Sequence, residues 1–548
     1  MRKNQQRQLL ELTKSLFEAN AELERLLARD ELDAVMQLLC DCQSIAILMG
    51  ELIESFEGEG TQTVSSLEEY HEDLYSVSCA VGEKTSKLND TKNLRKKIIA
   101  VETNIKTELK PNKIEVVFFP YKASMWDSFE SVWFAAKDDP QCDVYVIPIP
   151  YYDKQTSGNQ GEMHYEGDLF PAYVPVIDWR EYNIEEQCPD VAFVHNPYDG
   201  NGFVTTVHPN YYSFELKRYT DFLVYIDYGL PIWLFKTPKK GILLKSFSVY
   251  DLIITYSKEY AESIRCSQKP IIKQKNSARS ENNAIALGSP KFDAIFNTNR
   301  DNYSLPRDWL EKINEKKVLL FSTSVSAMLD GNEQFFVRQQ ELFSTLRERD
   351  DIVLWWRPHP LSETTYSVMR PQLLEEYKRI VKQYCEEGWG IYDDTPDLHR
   401  AIAWSDACYS DESSLLLLYL ATGKPFSTRT FLYKPEKSTS DSSSDFTPIL
   451  KQRIKNMRAA KGANVFDINC TIWWHNFVDA DFVNSIQYSN FIDRFIHFIL
   501  NEPSYPDAEA YRQLKKQMFH EFVENADGTA GQKIYEFTKK KYWGASDI

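Results

Sequence analysis

The sequence predicts an α/β protein of two Rossmann-type lobes behind an N-terminal helical segment, and three observations carry that expectation. The chain has 548 residues, well beyond the size at which one hydrophobic core stops growing. From Ile114 onward, short β-branched and aromatic runs alternate with helical patterns, which is the signature of parallel sheets covered by helices. Before that point, apolar residues recur at three- and four-residue spacing with charges between them, as packed helices require.

The helical segment reads from Gln5 to Val81, with Leu9, Leu12, Leu16, Leu23, Leu26 and Leu27 on one stripe and a break at Glu57-Gly-Glu-Gly-Thr61. It is expected to pack on itself or on a second copy, making a homo-oligomer through these helices. A membrane-docking role is the competing expectation, disfavoured by the small excess of Lys and Arg. The first lobe then has expected strands at Ile114–Phe119, Val144–Ile149, Val191–Val194, Leu223–Ile226, Leu252–Thr255 and Ala284–Leu287. In the second lobe strands are expected at Val318–Ser322, Ile352–Trp356, Gly390–Tyr392 and Ala407–Tyr409, with helices at Glu333–Arg349, Pro371–Glu387 and Ser413–Ala421. The Ser-, Lys- and Asp-rich stretch Lys434–Thr447 reads as a loop, and the Trp473-Trp474-His475 region with the last helices closes the chain. The resulting division is 1–110, 111–300, 301–500 and 501–548.

Hydrophobic residues form 43% of the chain and aromatics 14%, which excludes a disordered protein. A net charge of -17 argues against a nucleic-acid partner, because a phosphate backbone is met by clustered Lys and Arg. The nine cysteines include no CxxC pair and are expected to be reduced and mostly buried. The charged N-terminus lacks the apolar core of a signal peptide, and the longest apolar run considered, Leu415–Ala421, is too short to span a bilayer. A cytoplasmic location follows as the expectation, with membrane contact at most peripheral, at the inner face of the plasma membrane.

Ligands of open α/β sheets bind beyond the carboxyl ends of the strands, so four clusters stand out. Ser124 and Asp127 follow the first strand and suit either an acceptor or the cap of the next helix. His195 follows the strand Val191–Val194, in His195-Asn-Pro-Tyr-Asp199, as a base or as a bonded loop residue. Arg357-Pro-His-Pro360 presents Arg357 and His359 on a loop stiffened by two prolines, suited to the negative charge that gathers on a departing nucleotide phosphate. Ser405 to Ser414 ends in two hydroxyls, Ser413 and Ser414, at the start of an apolar helix, where they form an anion site or merely cap.

The order Gly288-Ser-Pro-Lys-Phe-Asp293, Arg357-Pro-His-Pro360, Ser405-Asp406 with Asp411 and Ser413-Ser414, Gly423-Lys-Pro425 and Asp527-Gly-Thr-Ala530 resembles the CDP-glycerol glycerophosphotransferases. The resemblance covers roughly Ile114 to the end. It implies a GT-B fold, a CDP-activated alditol donor bound by the second lobe, a polymer or lipid-linked acceptor at the first lobe, and no cofactor or obligatory metal. Carried over by position, it makes His359 catalytic and assigns Arg357, Asp411, Ser413, Ser414 and Gly288 to the donor. Two departures are visible: Leu418 stands where that family often has an acidic residue, and Tyr228-Gly-Leu-Pro231 stands where it has His-Gly-Thr-Pro. With Tyr228 on the acceptor side a poor base, His195 is the first substitute, followed by Asp227, with Asp127 as a third.

The expected activity is therefore transfer of glycerol phosphate, or a related alditol phosphate, to a hydroxyl of a cell-envelope glycan or teichoic-acid-like precursor. Sugar transfer from a nucleotide sugar is the alternative within the same fold, and a catalytically silent nucleotide-binding scaffold is the alternative outside enzymes.

Overall fold

The computed structural model describes residues 1–83, 88–155, 159–202, 204–230, 244–275, 283–411, 413–428, 496, 499–500 and 519–544. The expected loop Lys434–Thr447 and the Trp473-Trp474-His475 region lie outside them. The chain divides into two compact units, the first being residues 1–116 with 139–144 and 185–191, the second everything else.

The first unit is dominated by four helices, α1 (Lys3–Ala28), α2 (Leu32–Glu57), α3 (Gln62–Gly82) and α4 (Leu88–Thr107). Their buried residues follow an alternating three-four spacing: Leu9, Thr13, Leu16, Asn20 and Leu23 on α1, and Val35, Leu39, Cys42, Ala46, Met49 and Ile53 on α2. Leu67, Tyr70, Leu74, Val77 and Val81 continue it on α3, and Leu94, Ile98, Val101 and Ile105 on α4. That spacing keeps one stripe of each helix turned to its neighbours, as in coiled coils. Thr61 caps α3, its side chain accepting from the Val64 N–H at 3.2 Å. The sequence reading stopped at Val81 and missed α4 as a separate helix. It also understated α2, whose 26 residues have a mean hydropathy of 1.4 over their most apolar window and are long enough to cross a membrane by length and composition.

The second unit holds most of a six-stranded sheet and all of a five-stranded one. The first sheet uses β1 (Ile114–Phe119), β2 (Cys142–Val146), β5 (Val191–Val194), β7 (Phe222–Ile226), β8 (Leu252–Thr255) and β9 (Ala284–Ala286), in the order β2-β1-β5-β7-β8-β9. Strands β7, β8 and β9 pair in parallel, with Ile226 beside Ile254 and Thr255 beside Ala286. A small antiparallel sheet of β3 (Tyr151–Lys154), β4 (Gln160–His164) and β6 (Thr205–Val207) branches from this lobe. Sequence reading missed it because its strands are three to five residues long, and β3 and β4 are largely half-buried or exposed, so they carry no buried apolar run.

The second sheet is wholly parallel: β10 (Lys317–Ser322), β11 (Ile352–Trp356), β12 (Ile391–Tyr392), β13 (Ala407–Ser410) and β14 (Phe426–Thr428), ordered β12-β11-β10-β13-β14. Both faces are covered, so the strands read as continuous apolar runs such as Val318-Leu-Leu-Phe321 and Ile352-Val-Leu-Trp-Trp356. The helix after β10 runs from Val325 to Arg347, eight residues earlier than the expected start at Glu333. Its Asn332 is non-helical at φ 45°, so the expected start fell on a kink that the Gly331-Asn332 pair marks. The α/β class, with parallel strands in both lobes and helices around them, is the observed fold.

Among the described cysteines all are free thiols, but only Cys42 and Cys408 are buried, while Cys40, Cys79, Cys266 and Cys385 are exposed. The expectation of mostly buried thiols is therefore corrected.

Candidate functional site

In the second lobe β10 is central, with β11 on one side and β13 on the other, so the loops leaving their carboxyl ends are neighbours. Register fixes this closely: Phe321 lies beside Trp356 and Ser322 beside Ser410. The β13 loop carries Asp411, which is 4% exposed. Both of its carboxylate oxygens accept from the Ser324 N–H at 3.0 Å, and the Ser324 hydroxyl donates to it at 2.5 Å. Asp411 thus ties the β13 loop to the start of the helix Val325–Arg347.

Ser413 is the N-cap residue of the helix Ser414–Thr422, yet its side chain makes no capping bond. Its hydroxyl lies 3.3 Å from that of Ser410 instead. The half-buried Ser413 hydroxyl is therefore not spent on the helix, and Ser414, its first residue, is exposed.

His359 is held in one tautomer. Its Nδ1 accepts the Leu361 N–H at 3.1 Å, so the ring hydrogen sits on Nε2. Burial, with the Lys122 and Arg357 charges adding to it, lowers the imidazole to about 4. At neutral pH His359 is a neutral N–H donor rather than a cation. Lys122, whose charge acts on it from the first lobe, donates to Tyr151 Oη at 2.7 Å and lies 3.4 Å from Glu166. Sequence reading passed over Lys122, since no pattern distinguishes it from a surface lysine.

Arg357 is only 5% exposed and spends its guanidinium inside the lobe. It pairs with Asp393 at 2.9 Å and donates to the Thr395 carbonyl at 2.5 Å. Asp393 also accepts from Trp355 Nε1 at 3.0 Å and lies 3.3 Å from Arg400, which stacks over the Trp309 ring at 4.8 Å. This network holds the loop after β12, where Asp397 caps the helix Leu398–Trp404 by accepting the Arg400 N–H at 3.0 Å.

In the first lobe His195 is fully buried and stacked on Phe129 at 4.7 Å. Its Nε2 accepts the Tyr121 N–H at 3.3 Å. Its Nδ1 therefore carries the hydrogen and donates to Ser128 Oγ at 2.9 Å, whose own hydrogen goes to the Met125 carbonyl at 2.7 Å. Burial, with Lys291 nearby, lowers the ring to about 3. The imidazole thus pins the Tyr121–Ser128 loop to the end of β5.

Asp227 and Tyr228 follow β7. Asp227 accepts from Tyr260 Oη at 2.7 Å and from the Gly229 N–H at 2.8 Å, and burial raises its carboxyl above the usual range. The Tyr228 ring meets those of Tyr121 and His195 edge-on, and burial keeps its phenol far above the ordinary tyrosine value. Ser124, half-buried, and Asp127 lie in the short turn after β1. Asp127 is 8% exposed and pairs with Lys291 of the first lobe and with His399 Nε2 of the second, the latter at 3.0 Å. Burial alone would raise its carboxyl, but Lys291 and His399 reverse this and hold it well below the usual range.

Gly288, which the resemblance assigns to the donor, has φ +90°, and a Cβ there would lie 2.4 Å from the Glu524 carbonyl oxygen. Five residues on, Asp293 accepts from the Ala530 and Gly531 N–H groups at 3.1 and 2.7 Å and from Ser131 Oγ at 2.8 Å. Two motifs far apart in sequence, Gly288–Asp293 and Asp527–Ala530, are thus parts of one joint that seats the C-terminal helix Ala530–Gly544 against the first lobe. Among the described residues no cluster of three or more His, Cys, Asp or Glu is arranged to hold a metal ion.

No family profile matches the chain, and no curated protein sequence does. Among solved structures it is similar to the wall teichoic acid polymerase TagF, at 13% identity over 87% of this chain and 99% of that one, with a TM-score of 0.40. It is likewise similar to MnaA of S. aureus solved with UDP, at 13% identity over 78% and 96% and a TM-score of 0.41. A third is the UDP-GlcNAc 2-epimerase of Neisseria meningitidis bound to UDP-GlcNAc, at 10% identity over 78% and 100% and a TM-score of 0.40.

Proposed function

We propose that the protein transfers an alditol phosphate, glycerol phosphate in the first instance, from a CDP-activated donor to a hydroxyl of a cell-envelope glycan precursor. The observation that carries this reading is Ser413, an N-cap residue whose hydroxyl does not cap. With Ser414 exposed beside it and the His359 Nε2–H presented from the adjacent strand end, the second lobe offers neutral donors suited to a diphosphate. The ordered motifs that resemble the CDP-glycerol glycerophosphotransferases select the donor class.

In the reaction the acceptor oxygen attacks the phosphorus that bears the alditol, and the bond to the CMP phosphate breaks. CMP leaves with the electron pair, and the acceptor proton passes to a base beside the acceptor. His359 donates its Nε2 hydrogen bond to the phosphate as charge builds there. Arg357 acts through the β12 loop rather than on the ligand.

Equilibrium binding of CDP-glycerol, CDP-ribitol, UDP-glucose and UDP-GlcNAc tests the reading. The CDP-alditols are expected to bind, and the Ser413→Ala/Ser414→Ala double variant to bind them more weakly by about 1–3 kcal/mol at unchanged melting temperature. Preference for a UDP-sugar points instead to glycosyl transfer.

A further inference from the structure

We propose that His399, oriented by Asp127, is the general base that takes the proton of the acceptor hydroxyl. The inference rests on the transfer reading for its reaction, while the geometry of the pair stands without it. Tyr228 occupies the position where the resemblance expects a histidine, and its enclosed phenol holds its own proton. His195 has both ring nitrogens committed inside the first lobe. His399 opens the helix Leu398–Trp404 at the carboxyl end of the second sheet and reaches across to Asp127 at the carboxyl end of the first.

The pairing dictates the tautomer. An ionised carboxylate only accepts, so the 3.0 Å contact between Asp127 Oδ2 and His399 Nε2 places the ring hydrogen on Nε2. Nδ1 faces Thr298 Oγ1 at 3.5 Å, but that hydroxyl donates to the Ala294 carbonyl at 2.7 Å. Nδ1 therefore keeps its lone pair. The half-buried ring is braced from behind, since Asp397 caps its helix and the Arg357–Asp393 pair holds the preceding loop. An imidazole fixed by a carboxylate on one nitrogen, with the lone pair presented on the other, is the arrangement of a general base.

In the step, the acceptor O–H passes its proton to His399 Nδ1 as its oxygen forms the new bond to phosphorus and CMP departs with the electrons of the broken P–O bond. Asp127 balances the imidazolium, which then returns the proton to water. Asp127 and Lys291 are positioning residues here, and of the three only His399 meets the acceptor.

The test has two arms. In the first, kcat is measured with CDP-glycerol and a short poly(glycerol phosphate) oligomer, and CDP-glycerol binding separately. His399→Gln is expected to lower kcat at least about 100-fold with the donor Kd unchanged. Asp127→Asn is expected to do the same, and if it fails to fold beside Lys291, the Asp127→Asn/Lys291→Met pair replaces it. Near-full kcat in His399→Gln overturns the proposal. In the second arm, 15N NMR of histidine-labelled protein, assigned through His399→Gln, reads the tautomer without any substrate. The Nε2–H form in the unmutated protein and its loss in Asp127→Asn support the pair; the Nδ1–H form in the unmutated protein overturns it. If the unmutated protein turns over neither CDP-glycerol nor CDP-ribitol, the transfer reading falls, and the tautomer still decides whether Asp127 and His399 form this pair.

Discussion

Two histidines at strand ends behave oppositely, and the difference lies in what their nitrogens touch. His359 spends only Nδ1 on its own loop and keeps its hydrogen on Nε2, whereas His195 spends both nitrogens on Tyr121 and Ser128. We expect His359→Ala to lower kcat by about 10²–10³ with little change in donor Kd, the mark of a bond strengthened in the transition state; steady-state kinetics beside direct donor binding checks it. His195 is instead a stability residue with a pH signature. Its folded value near 3, against 6.5 for the free ring, means that the unfolded chain binds the proton more readily between those values. Stability from this group is complete above about pH 6.5 and is lost as pH falls through the window toward 3. In His195→Phe, thermal melts are expected to show a lower Tm at pH 7.5 but a smaller further drop on acidification to pH 4.5. The strand-end placement of His359 and Ser413 was legible because alternating apolar runs locate strand ends. His399 was not, because its partner Asp127 lies 272 residues away and nothing local marks the pair.

At the scale of elements, the sequence announced helices and strands wherever burial was periodic. It located β1, β5, β8 and β11 at their observed bounds, since each is a run of buried residues. The three short strands of the antiparallel sheet and the kink at Asn332 escaped because hydrogen bonding and a left-handed backbone, rather than apolar patterning, define them. The Gly288–Asp293 joint was visible as a motif but not as a contact. Gly288→Ala should cost about 1–3 kcal/mol, as its φ of +90° strains any other residue and its Cβ meets the Glu524 carbonyl; denaturant melts measure it. On α1, Asn20 is 1% exposed with its carbonyl oxygen unpartnered, between Leu16 and Leu23 of the buried stripe. Asn20→Leu is therefore expected to raise the stability of the four-helix unit by about 1 kcal/mol, read by the same melts.

Across the whole molecule, the second unit brings the carboxyl ends of two sheets to bear on one set of polar groups. His359 senses Lys122, and His399 binds Asp127, so each lobe presents a charged or hydrogen-bonding partner to the other. The two-lobe class was readable from length and alternation alone; which side chains meet across the lobes was not, because that depends on loops converging from opposite sheets. The central claim is that this convergence performs alditol phosphate transfer, and 31P NMR of the unmutated protein with CDP-glycerol and a poly(glycerol phosphate) oligomer tests it most directly. The account predicts loss of the paired diphosphate resonances with matching growth of CMP and phosphodiester signals. Persistence of intact CDP-glycerol beside the oligomer, under conditions where the protein binds that donor, would contradict it.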